Sequence, residues 1–260
     1  MVEWRTKDGE GFTRASSAVQ LKLACVGVAQ SGVRVTAVPV QGCFGGLWGL
    51  LEEAVFPVSW TDVLFNPYNG IDPQLDLPDG DKVRRENLRG YLESITEAPR
   101  VLVVGEAPGP WGCRFSGVLF TNERQLVQGL VPFGGRTSGK AGMLHREASA
   151  DVFWKVMGRY HPWFLAWNCV PFHPHIAGRK LSIRTPTKGE IEAYAGLLKK
   201  IAAIVRPEVT VALGRKAEEA LGPAELGDKV AGVARRVGEM CEAPGSGSTG
   251  VELETGARML

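Results

Sequence analysis

Apolar residues in this chain fall into short runs and long-period stripes, and the two kinds alternate. Arg100-Val101-Leu102-Val103-Val104, Trp163-Phe164-Leu165-Ala166-Trp167 and Val209-Thr210-Val211-Ala212-Leu213 are nearly all apolar and bounded by turn residues. Runs of that length and composition read as strands buried on both faces. Between the last two, Ile191, Tyr194, Leu197, Leu198, Ile201 and Ile204 recur at helical spacing, which predicts a helix over about 188–206. Thr187 is placed to cap it, with Glu190 completing a capping box. Asp79-Gly80-Asp81 offers the N-cap of a second helix over about 82–96, with Leu88, Leu92 and Ile95 on one stripe. Strands alternating with helices predict an α/β fold, a three-layer α/β/α sandwich around a central, mainly parallel sheet. Ligands of such sheets bind beyond the carboxyl ends of the strands, where the segments 105–120 and 168–175 lie.

The chain divides into three parts: 1–55, 56–237 and 238–260. The first is rich in Gly and Val with strand-like runs such as 33–38, and reads as an added lobe or an irregular extension. The second carries the periodic elements. The third opens on a linker-like stretch, 243–250, and is expected to be irregular.

Composition narrows the picture only a little. With 44% hydrophobic residues, 260 residues suffice for one sizeable core. A net charge of +2 gives no global signal for nucleic acid and leaves room for a local basic patch. The five cysteines at 25, 43, 113, 169 and 241 contain no C-x-x-C pair, so no zinc or iron–sulfur framework is expected and no cofactor is assigned. Scattered cysteines fit free thiols in a reducing compartment. No apolar run reaches the ~18 residues of a membrane span, and the N-terminus lacks a signal-peptide pattern, so the expectation is a cytoplasmic monomer without a membrane partner.

Two loops hold the candidate chemistry. Gly105-Glu106-Ala107-Pro108-Gly109-Pro110 follows the first strand, with Arg114 and Phe120 beyond it. Its glycines permit close backbone approach and its prolines stiffen it, although Gly-Pro turns after strands are common. Asn168 ends the second strand and opens Cys169-Val170-Pro171-Phe172-His173-Pro174-His175. An Asn side chain offers an acceptor and two donors, enough to pair with the O4 and N3–H edge of uracil, yet a lone Asn there is more often a turn former. His173 and His175 form a minority candidate for metal ligation, with no carboxylate in the motif; no metal site is assigned.

Taken in order, the Gly-Glu-Ala-Pro-Gly loop, Phe120, Asn168 with its Pro-rich loop, Arg184-Thr185-Pro186-Thr187 and Val211-Ala212-Leu213-Gly214 resemble the uracil-DNA glycosylase superfamily over about residues 97–222. The resemblance implies a DNA-repair hydrolase that rotates a deoxyuridine, with other deaminated bases as further candidates, out of the helix and breaks its N-glycosidic bond, leaving an abasic site. It assigns catalysis to Glu106, Ala107 and Asn168, and base binding to Gly105, Pro108, Gly109, Phe120 and Asn168. On the same resemblance, Phe120 is expected to stack on the base, Asn168 to read its polar edge, and the backbone around Glu106 and Ala107 to hold the remaining carbonyl. Arg114, Arg136, Lys140, Arg179, Lys180 and Arg184 are candidate phosphate contacts. The implied partner is DNA containing uracil or an abasic site.

The chain departs from the family pattern at three places. Ala107 stands where many relatives carry the Asp or Asn that positions the attacking water. The four cysteine ligands of the branch with the same first motif are absent, and Gly109 stands where the strictest uracil enzymes have a Tyr that excludes thymine. The second motif, a His-Pro loop whose histidine stabilises the leaving base, is missing: no histidine follows His175. Read one base later, codons for Glu242-Ala243-Pro244 can encode Arg-His-Pro, and sequencing the gene there tests that reading. The alternative function is a catalytically impaired protein that binds uracil-containing or abasic DNA.

Overall fold

The structure, a computed structural model, describes residues 40–140 and 144–227 throughout, and the strand segments 2–5, 11–15, 230–234, 251–253 and 257–259. The strand-like run 33–38 and the Glu242-Ala243-Pro244 segment lie outside the described residues. In chain order the strands are β1 (Val2–Arg5), β2 (Gly11–Ala15), β3 (Leu64–Phe65), β4 (Val101–Gly105), β5 (Phe164–Asn168), β6 (His173–Pro174), β7 (Val209–Leu213), β8 (Val230–Ala234), β9 (Val251–Leu253) and β10 (Ala257–Met259). The α-helices are α1 (Val40–Ala54), α2 (Gly80–Glu93), α3 (Cys113–Ser116), α4 (Glu123–Val127), α5 (Ala148–Met157), α6 (Lys188–Val205) and α7 (Arg215–Leu221).

The three apolar runs form neighbouring strands of one sheet, ordered β5-β4-β7-β8 with every pair parallel. All five residues of β4 and all five of β5 are buried. Successive side chains of a strand point to opposite faces, so both faces of the sheet are covered by helices and loops, as expected of an α/β/α sandwich. β5 lies at the edge of the described sheet, and its Ala166 N–H donates to the buried Tyr91 hydroxyl of α2 at 2.9 Å. A helix thus satisfies a donor that an open edge would leave free.

α6 buries Ile191, Ala195, Leu197, Leu198, Ile201, Ala202 and Val205. Thr187 and Glu190 form both halves of the expected capping box. In α2 the helix begins at Gly80, and Asp79 occupies the N-cap position without a side-chain cap bond. α1 falls within the stretch assigned by sequence to the N-terminal part. Its Leu47, Leu50 and Leu51 join the same core as β4 and α6, so the core extends upstream of residue 56. In the tail, expected to be irregular, β9 and β10 form a short antiparallel pair.

A buried ionic cluster ties the segment before α2 to α3, the short helix after β4. Asp76 Oδ1 pairs with Arg84 Nη1 at 3.2 Å, and both its oxygens accept from Arg114. Arg84 also donates to the carbonyls of Pro67 and Gly70 and to Ser138 Oγ. Burial holds the Arg84 guanidinium down to about 10, with Asp76 opposing the shift. Three charges out of water persist only where pairing and hydrogen bonds are this complete.

Candidate nucleobase site at the carboxyl ends of the strands

β4 and β5 run in register, with Gly105 opposite Asn168 at their carboxyl ends. Gly105 and Glu106 carbonyls accept from Cys169 N at 2.8 Å and Val170 N at 3.1 Å, so the ladder continues into the two loops and fixes one on the other. A β-carbon built on Gly105 would stand 2.6 Å from Asn168 Oδ1 and 2.6 Å from Phe120 Cζ. The absence of that carbon lets three residues from three segments converge on one point.

Asn168 is 3% exposed. Among the described residues its side-chain amide makes no hydrogen bond. An amide whose donors and acceptor are free of protein partners at the strand end is available to a planar ligand with a complementary polar edge. Phe120 is half-buried, at φ 46. That left-handed conformation is uncommon for a bulky residue and marks a constrained position. Its ring stacks on Phe153 of α5 at 4.5 Å and 17°, so one face is backed by the core.

The loop between these groups is braced by a residue whose role the sequence left open. His173 Nδ1 lies 2.7 Å from the Pro108 carbonyl, and Nε2 lies 3.2 Å from that of Lys180. Two carbonyls favour the imidazolium, but burial is the larger effect and takes the group down to about 4, with His175 and Arg114 adding repulsion. The neutral ring donates through one nitrogen, and the shorter contact assigns that proton to Nδ1, towards Pro108. His173 therefore fastens the second loop to the first. His175 contacts the Ile176 carbonyl at 3.1 Å. No group of three or more potential metal ligands occurs among the described residues.

The other candidates separate into distinct environments. Ala107 is half-buried and packs against the core, while Pro108 and Gly109 are buried. Glu106 is half-buried with Lys216 and Glu219 of α7 as its charged neighbours; burial raises its carboxyl, Lys216 lowers it and Glu219 raises it. Arg114 requires a correction: its guanidinium is 1% exposed, held by Asp76 and set over the rings of Phe65 and Phe115 at 4.3 and 4.1 Å. It holds the loop from inside and has no face for a phosphate. Arg184 is likewise engaged, in a two-pronged pair with Glu190 at 2.6 and 2.8 Å and with the carbonyls of Val63 and His175. Arg179, Lys180, Arg136 and Lys140 are exposed. Lys180 pairs with Asp72 at 2.9 Å, Arg136 with Glu86, and Lys140 Nζ donates to the Pro73 carbonyl.

A family model described as the Uracil DNA glycosylase superfamily matches residues 93–249, which takes in both loops and their strands. Among solved structures, the crystal structure of wild-type Pedobacter heparinus SMUG2 is similar, with 14% identity over 75% of this chain and 87% of that one and a TM-score of 0.50. No curated protein matches the chain.

Proposed function

The chain belongs to the uracil DNA glycosylase superfamily, and from that premise we propose that it hydrolyses the N-glycosidic bond of uracil in DNA to leave an abasic site. The observation that carries this reading is the idle, nearly buried Asn168 amide beside the Phe120 ring at the Gly105 position. An extruded base stacks on Phe120, a contact worth about 1–3 kcal/mol by analogy with base–aromatic stacking, while Asn168 pairs with its polar edge. Among the described residues the amides of Ala107 and Gly109 donate to no protein oxygen. They can serve the remaining carbonyl, as directed N–H groups serve an oxyanion. Glu106 is the carboxylate on the loop available to orient the attacking water. Arg179, Lys180, Arg136 and Lys140 supply phosphate contacts, and the chain acts as a monomer in the cytoplasm.

A labelled duplex with one uracil, treated with protein and then alkali, tests the proposal. Strand scission is expected, and Asn168→Ala should reduce it by about 100-fold or more, a loss comparable to removing one oxyanion-hole donor. Excision unchanged by Asn168→Ala would sink the assignment. A second reading rests on the lack of any histidine after His175: a protein that binds uracil-containing or abasic DNA and cleaves it poorly. A gel shift without scission identifies that case.

A further inference from the structure

Glu147 carries a carboxyl group that the reading above leaves unused. It is the residue before α5, and its carbonyl accepts from Asn122 Nδ2 at 3.4 Å, two residues after Phe120. The helix that backs Phe120 through Phe153 therefore also presents Glu147. A β-carbon built on Gly109 would stand 2.6 and 2.7 Å from the two carboxyl oxygens. One built on Gly112 would collide with Oε2 more closely still and stand 2.9 Å from the carboxyl carbon. Both glycines are buried. Together they form a seat open only because neither has a side chain, and Glu147 fills it.

The seating is fixed, since Ser149 Oγ donates to Oε1 at 2.5 Å. Burial raises the Glu147 carboxyl above its ordinary range, with the Ser149 bond opposing it, so the uncharged acid gains weight. The residue is half-buried, but its carboxyl group is largely withdrawn from water and, among the described residues, pairs with no cation, an arrangement that is costly. A packing role alone would be served more cheaply by an apolar residue, which points to a use for the group at this loop.

Resting on the uracil-pocket reading, we propose that Glu147 is a specificity-determining residue: its carboxyl group, arriving from α5, closes the side of the pocket that Gly109 and Gly112 leave open, and so limits the base admitted beside Asn168 and Phe120. A pyrimidine with an added methyl group is then excluded by a wall borrowed from another element.

Binding to duplexes carrying one non-cleavable 2′-fluoroarabino nucleoside of uracil or of thymine, followed by fluorescence anisotropy, reads this without turnover. The wild-type chain should prefer uracil by roughly tenfold or more, the discrimination one methylene commonly gives. Glu147→Ala should bring the preference below about threefold by gaining affinity for thymine. Glu147→Asp, whose carboxyl is withdrawn by one methylene, should fall between, and it decides by the same criterion if the Ala variant fails a thermal-melt check. A wild-type preference that survives in the folded variant overturns the proposal while leaving the uracil pocket intact. A wild-type chain that binds the uracil duplex no better than unmodified DNA overturns the pocket reading, and this one with it.

Discussion

Asn168 and Gly105 act as a pair whose spacing is set by one missing carbon. The Asn amide can meet a base only if its oxygen and the Phe120 ring approach the Gly105 backbone, and the sheet register places Gly105 opposite Asn168. Gly105→Ala would put a methyl group 2.6 Å from both neighbours. Neither can retreat freely, since Asn168 is held by the ladder and Phe120 by its ring stack. The variant should remain folded and lose uracil-duplex affinity by roughly tenfold or more, given that a small misplacement at a reacting site costs on that scale; unchanged affinity in a titration would show that the convergence is incidental. Arg114 shows where residue-level reading fails. An arginine just after a glycine-rich loop looks like a phosphate contact, but its partner Asp76 lies 38 residues upstream, and only folding brings the two together.

The loop from Asn168 to Thr187 is held at both ends, by the His173–Pro108 bond and by the Arg184–Glu190 pair. His173 gives this element a pH signature. Its folded group titrates at about 4, against about 6.5 for an unfolded histidine. The unfolded chain therefore binds the extra proton first, and the native state loses stability as pH falls from about 6.5 towards about 4. At full effect the loss is about 3 kcal/mol, at 1.36 kcal/mol per unit. Urea midpoints of the wild type should fall over that window, and those of His173→Phe should fall less. Equal slopes would mean that other groups carry the acid sensitivity. The helix that follows was legible in the sequence because its signals are local: Thr187 and Glu190 are three positions apart, and the α6 stripe repeats every turn. Strand limits were legible to within a residue, β4 and β5 each ending one position later than the apolar runs indicate.

Across the whole molecule, the Asp76 cluster joins the segment before α2, that helix itself and α3 after β4. Asp76→Asn would leave two buried guanidinium groups facing a neutral amide. Breaking a buried pair from one side costs about 3–5 kcal/mol, so the unfolding midpoint in urea should drop markedly with an unchanged slope. A shift below about 1 kcal/mol would show that Arg84 and Arg114 are satisfied by their carbonyl and ring neighbours alone. Because Arg114 lies in α3, on the segment that leads from β4 to Phe120, uracil binding at temperatures well below the melt should weaken in the same variant.

The sequence by itself determined the alternation of buried strands and amphipathic helices, the capping of α6, and the ordered loops whose Gly105, Phe120 and Asn168 carry the family resemblance. These depend on periodicity and on neighbours a few residues apart, which a linear reading contains. Tertiary structure alone decided that Arg114 belongs to the core, that His173 braces Pro108, and that Glu147 fills the seat left by Gly109 and Gly112. Each of those contacts joins residues from separate segments, and its energy comes from burial and charge pairing that do not exist until the chain has closed around them.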